Sequence, residues 1–107
     1  MKIEELKTEN LKALTSLVLE LWNDCDFEEE IEEYGKLIES ANDAIYLAKE
    51  GDFYIAFVHA SIRRDYVEGA EEMPVAYVEG VYVKPEFQKR GVARDLISAA
   101  EKWAKRK

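Results

Sequence analysis

The sequence predicts an α+β fold, a mixed and mostly antiparallel sheet with helices on its faces. Three observations carry that expectation. Apolar residues recur at three- and four-residue steps near both ends of the chain, the spacing of one helix face. Between Ala44 and Val83 the pattern changes to Val-, Ile- and Tyr-rich runs split by turn-prone residues, the mark of strands. The last of these runs passes through a short loop straight into a helical stripe. The expected order is β-α-α-β-β-β-α.

Each element has its own warrant. Residues 1 to 6 read as a short first strand. Thr8 is placed to cap a helix whose inner face carries Leu11, Leu14, Leu17, Val18, Leu21 and Trp22. Asp26 followed by Glu29 opens a second helix in the manner of a capping box, and Ile31, Tyr34, Leu37 and Ile38 form its stripe, somewhat weakened by Gly35. AIYLAKEGDFYIAFVHASI, from Ala44 to Ile62, reads as two strands joined at Glu50-Gly51-Asp52. After the charged stretch RRDYVEGAEEMP comes VAYVEGVYV, residues 75 to 83, a third strong strand that Pro85 ends. From Gly91 onward a last helix turns Val92, Leu96, Ile97, Ala100 and Trp103 inward. No repeat, linker or low-complexity tract is visible, so residues 1–107 are expected to form a single domain.

Composition narrows the function. The chain has 107 residues, 48% of them apolar, with five Gly and two Pro, which excludes a disordered or fibrous chain. A net charge of −8, from 23 acidic and 15 basic residues, argues against nucleic acid as the main partner. It suits a small cationic partner, although a solvated surface explains the same count. A single cysteine, Cys25, leaves no internal disulfide and fits a reducing compartment. With one histidine, His59, it makes no zinc site, and no metal is expected. The charged N-terminus does not resemble a signal peptide, and no apolar run is long enough to span a bilayer, so a cytoplasmic protein without membrane contact is expected.

The segment KPEFQKRGVARDL, Lys84 to Leu96, poses the functional question. A strand, a short loop and a helix start with a small residue together form an arrangement that binds phosphate, because the first amides of a helix lack internal partners. Gly91 lets the backbone approach a ligand, Ala93 keeps the first turn uncrowded, and Lys89 and Arg90 add positive charge. There is no Walker loop and no dinucleotide fingerprint. Taken alone, Q-x-x-G-x-A also fits an ordinary strand-helix turn with a basic loop.

In its wider setting, VEGVYVKPEFQKRGVARDLI, Val78 to Ile97, resembles the acetyl-coenzyme A motif of the GNAT superfamily of N-acetyltransferases. The matching features are a strand carrying Glu79, Val81 and Val83, then Pro85, the Gln88-x-x-Gly91-x-Ala93 loop and an amphipathic helix. ASIRRDYVEG, Ala60 to Gly69, and a helix ending LELW at Trp22 are similar to the aminoglycoside 6'-N-acetyltransferases of that superfamily, enzymes of antibiotic resistance. The resemblance implies acetyl transfer from acetyl-CoA to a primary amine. It implies that the backbone of Val81, Tyr82 and Val83 pairs with the pantetheine arm. Gln88, Lys89, Arg90, Gly91, Val92, Ala93 and Arg94 would hold the pyrophosphate. Glu79 would bind the substrate ammonium or accept its proton, and Trp22 and Tyr66 would line the substrate pocket.

Plainer readings stand beside these. Glu79 fits a solvent-facing strand residue, and Trp22 fits the core. The acidic run from Asp24 to Glu33 suits a polycationic substrate, and its Glu28–Glu30 portion equally suits a helix start. Cys25 lies where relatives carry a polar pocket residue, and His59 reads as structural. Relatives continue with a further strand, helix and hairpin, so the chain is expected to lack the second wall of the pantetheine cleft. The expectation is then a homodimer or larger assembly with exchanged elements, or a truncated, catalytically weak or inactive module that binds CoA or self-associates.

Overall fold

The structure, a computed structural model, describes residues 1–65 and 73–107; of residues 64, 65, 73 and 74 it describes the backbone alone. Four strands, β1 (Lys2–Glu5), β2 (Asp43–Glu50), β3 (Phe53–Asp65) and β4 (Met73–Val83), lie side by side in chain order. The sheet expected to be mostly antiparallel is antiparallel at each of these pairings. The helices are α1 (Leu11–Leu21), α2 (Phe27–Leu37) and α3 (Val92–Lys105).

Alternation along β3 creates two cores, one on each face of the sheet. Phe57 packs with Leu14, Leu17 and Val18 of α1 and Tyr34 of α2. Val58, Ala60 and Ile62 pack with Val92, Leu96, Ala100 and Trp103 of α3. The spacing of those four α3 residues is the helical stripe seen in the sequence. Phe57 has no exposed surface, so Phe57→Ala should cost about 3–5 kcal/mol of stability, from lost burial and the cavity left behind.

Local sequence sets the element ends. Asp26 accepts a hydrogen bond from the Glu29 N–H at 3.0 Å and caps α2 as expected. The hairpin between β2 and β3 turns at Gly51, whose φ of 59° is left-handed. Thr8 does not cap α1. It begins a short 3-10 turn, Thr8–Asn10, and Asn10, at the start of α1, makes no side-chain cap bond to that helix but closes the turn before it. The Asn10 Oδ1 accepts from the Lys7 N–H at 2.7 Å, while its Nδ2 donates to the Glu5 carbonyl at 3.1 Å.

Among the described residues β4 has no partner on its far edge. Val75, Tyr77 and Val78 are exposed there. A hollow of ≈340 Å³ lies between β4 and α3, lined by Ala60, Ala76, Val78, Ile97, Ala100 and Ala104, among others. Among the described residues no helix is long and apolar enough to cross a membrane.

Candidate active site

An irregularity in β4 organises the site. His59 pairs with Gly80 and Ala60 pairs with Val78, so Glu79 is an extra residue on β4, a β-bulge. Bulges re-aim side chains and favour glycine at or beside them. Here Gly80 allows the close approach of an aromatic ring. A Cβ at Gly80 would stand 2.7 Å from Cη2 of Trp22. Trp22 is the C-cap of α1 and is 38% exposed, so it is not a core residue but a plate laid over Gly80, next to Glu79.

Glu79 is held from β3. Its Oε1 accepts from Ser61 Oγ at 2.5 Å and from Arg63 Nη2 at 2.7 Å. The Arg63 guanidinium also lies over the Tyr77 ring, 4.6 Å from its centroid. The Ser61 hydroxyl, opposed by partial desolvation and aided by Arg63, holds the Glu79 carboxyl below its ordinary range. Glu79 is therefore a standing negative charge at neutral pH and a weak base.

Three residues beyond Glu79, the Tyr82 hydroxyl donates to Glu20 Oε1 at 2.9 Å, and Lys84 Nζ lies 3.1 Å from Glu20 Oε2. Desolvation first, then the bond to Glu20, pushes the Tyr82 phenol up to about 12. These contacts tie α1 to the end of β4. Next to Trp22 the chain turns, with the Cys25 N–H bonded to the Trp22 carbonyl at 3.2 Å, and enters the acidic start of α2. Cys25 is partly buried, and desolvation and the nearby Glu30 and Asp24 raise its pKa, so it stays a thiol.

The free edge of β4 has a definite phase. The Lys84 N–H bonds to the Ile55 carbonyl at 2.8 Å, and Ala56, Phe57 and Val58 then face Val83, Tyr82 and Val81. In an antiparallel ladder the groups facing the partner alternate, so Val81 and Val83 turn their amides and carbonyls away from β3. The Gln88 side chain agrees: its Nε2 donates to the Val83 carbonyl at 3.0 Å.

Beyond the 3-10 turn Pro85–Phe87, the loop coils through two left-handed residues, Lys89 with φ 65° and Gly91 with φ 81°. For lysine that region is uncommon and costs energy. The backbone N–H groups of residues 89 to 94 donate to no other described residue. Of these, Lys89 and Gly91 to Arg94 line a hollow of ≈250 Å³ together with Val83 and Phe87, whereas Arg90 does not line it and lies over the Phe87 ring, 5.5 Å from its centroid. Four basic residues, Lys84, Lys89, Arg90 and Arg94, stand in the segment Lys84 to Leu96 against Glu86 and Asp95, with Lys84 paired to Glu20. Outward amides at a helix start with cations around them make an anion cradle. A Cβ at Gly91 would come within 3.1 Å of Arg94 Nη2 and crowd that cradle.

Most residues singled out in the sequence thus gather around one stretch of β4. Trp22 lies over Gly80, next to Glu79 at the bulge; Val81 and Val83 present outward backbone groups, whereas those of Tyr82 face β3; Lys89 and Gly91 to Arg94 line the cradle, and Arg90 stands beside it. Gln88 differs in one respect: its backbone N–H is taken by the Pro85 carbonyl at 3.3 Å and its side chain braces Val83. Tyr66 lies outside the described residues. His59 is engaged by Asp43 at 2.8 Å and edge-on by Tyr34, in keeping with a structural role. Sequence reasoning missed Gly80, Ser61 and Arg63. A glycine inside a strand is the signal that could have marked the bulge. Among the described residues no group of His, Cys, Asp and Glu is close enough to hold a metal.

Comparison with known proteins gives this geometry a context. The sequence model described as "Acetyltransferase (GNAT) family" matches residues 4–107. Aminoglycoside N(6')-acetyltransferase type 1 of Salmonella enteritidis is 32% identical over 107 residues, covering 100% of this chain and 74% of the relative. The solved apo structure of the aminoglycoside 6'-N-acetyltransferase AAC(6')-IG from Acinetobacter haemolyticus superposes with a TM-score of 0.89 at 36% identity, over 99% of this chain and 72% of that one. AAC(6')-Iy in complex with the bisubstrate analog CoA-S-monomethyl-acetylneamine gives a TM-score of 0.88 at 30% identity, over 98% of this chain and 71% of that one.

Proposed function

We propose, for a chain that belongs to the GNAT acetyltransferase family, that it transfers the acetyl group of acetyl-CoA to a primary amine, the 6'-amine of an aminoglycoside. One observation carries the reading. A single strand, β4, has an anion cradle and a free backbone edge at its end and a buttressed carboxylate with an aromatic plate at its bulge. The names of the relatives, and an analog that joins CoA to an aminoglycoside in one of them, support both substrates.

The residues present fit CoA. Unpartnered amides and basic side chains from Lys89 to Arg94 suit a diphosphate, and the outward amides and carbonyls of Val81 and Val83 suit an amide-bearing arm laid along the edge. Acetyl-CoA brings the acyl group already activated as a thioester. The chain's own residues do the rest. Glu79 holds the substrate cation by its charge, and Trp22 limits the directions from which the amine approaches. The outward amide of Val81, next but one to the bulge, takes the negative charge that develops on the carbonyl oxygen. The ammonium first gives one proton to water, the freed amine forms the nitrogen–carbon bond, the carbon–sulfur bond breaks, and the second nitrogen proton passes through water to the departing thiolate. The lowered Glu79 carboxyl stays charged at neutral pH, which suits it to anchor the ammonium.

The proposal treats residues 1–107 as one N-acetyltransferase-like domain and places it in the cytoplasm, which the lone thiol Cys25 supports. A second reading, a CoA-binding module that self-associates with little turnover, is favoured by the open apolar edge at Val75, Tyr77 and Val78. Calorimetric titration with acetyl-CoA, run beside Gly91→Asp, tests the cradle, and thiol release with kanamycin and with spermidine tests transfer. Acetyl-CoA binding with kanamycin turnover supports the first reading. Binding without turnover, with a dimer by light scattering, supports the second. No binding of acetyl-CoA to the unmodified protein overturns both.

A further inference from the structure

The geometry points to Arg63 as a resident cation that occupies the Glu79 ammonium site and that an incoming amine must displace. This inference rests on the function proposed above and concerns the amine side of that same site. A recognition site for an organic cation combines a carboxylate with an aromatic face. Glu79 and Tyr77 provide both, and the Arg63 guanidinium already engages the two together, at 2.7 Å from Glu79 Oε1 and 4.6 Å from the Tyr77 ring centroid. Ser61 fixes the same carboxylate oxygen from β3, so the acceptor keeps its position when its cation changes.

The arrangement is built for exchange. The Arg63 side chain is 55% exposed, and an ion pair so open to water is weak and readily given up. An arriving ammonium replaces one positive charge by another, so Glu79 is never left unpaired during the exchange. The displaced guanidinium stays tethered to β3, beside the bound amine, and repels the further positive charges a polycation brings. Arg63 therefore sets a threshold for which amines bind: those with enough charge held by the acidic run near Trp22 overcome it, and simple monoamines do not.

The experiment compares the unmodified protein with Arg63→Gln and Arg63→Lys, measuring kanamycin binding by calorimetry and thiol release with saturating acetyl-CoA. Arg63→Gln should bind kanamycin about five- to tenfold more tightly at low ionic strength, with KM reduced in step. The gain should shrink in about 0.5 M salt, and Arg63→Lys should behave like the unmodified protein. Equal or weaker kanamycin binding by Arg63→Gln overturns the inference and makes Arg63 a positioning residue for Glu79. Kanamycin binding to none of the three, with acetyl-CoA binding retained, removes the proposed substrate and this inference with it. Thermal unfolding of each variant separates these outcomes from a folding defect.

Discussion

The two ends of the site on β4 are built from opposite materials. At the α3 end, outward amides and the cations Lys89, Arg90 and Arg94 make a surface for an anion, with the left-handed backbone doing most of the shaping. At the bulge, side chains do the shaping: Glu79, Ser61, Arg63 and Trp22 are each placed by a contact from a different part of the chain. The difference teaches how a protein of net charge −8 can carry a surface suited to an anion and one suited to a cation on a single strand. The two potentials are separated along one strand, and each end can be altered without the other.

The largest expected effect comes from the backbone-built end. Gly91→Asp adds a carboxylate and a Cβ where φ is 81°, crowding Arg94. Acetyl-CoA affinity should fall about a hundredfold or more while kanamycin binding is retained, both read by calorimetry. Equal losses on both ligands would break the comparison. Next, Glu79→Gln removes the standing charge at the bulge. Steady-state thiol release should show kcat/KM for kanamycin down about a hundredfold, with acetyl-CoA affinity within about twofold.

A smaller effect follows from Gly80→Ala. The new methyl would sit 2.7 Å from Cη2 of Trp22, so the indole must swing off the strand. KM for the amine should rise about tenfold with little change in kcat, and acetyl-CoA should bind as before. The smallest effect is a shift in pH dependence. With its carboxyl held low, Glu79 keeps its charge below the ordinary carboxylate range, and amine binding is lost only as pH falls through that lowered value. Ser61→Ala removes the leading cause, so the acid limb of amine binding should move to higher pH; ¹³C NMR titration of Glu79 reads it directly.

Local signals in the sequence carried the backbone-built end well. Residues 84 to 94 lie in one segment, and a helix start with Gly91 and adjacent cations shows its chemistry in linear order. The bulge end was harder to read. Ser61 and Arg63 stand 18 and 16 positions from Glu79 and reach it only through the register of β3 on β4, which the bulge itself shifts. Trp22 fitted both a core stripe and a pocket; its place at the end of α1, exposed and over Gly80, keeps it out of the core. The helix signals fared likewise. Asp26 capped α2 as its spacing suggested, whereas Thr8 fell inside a 3-10 turn that the Asn10 side chain closes by bonds back to Lys7 and Glu5.

Trp22 rests over Gly80 while the chain's other tryptophan, Trp103, is sealed beneath α3 at 8% exposure. Replacing Trp103 with phenylalanine would leave a single indole emitter, and it would stand at the acceptor doorway. The molecule thus carries its own optical reporter, and stopped-flow fluorescence could time the arrival of an amine with no added dye.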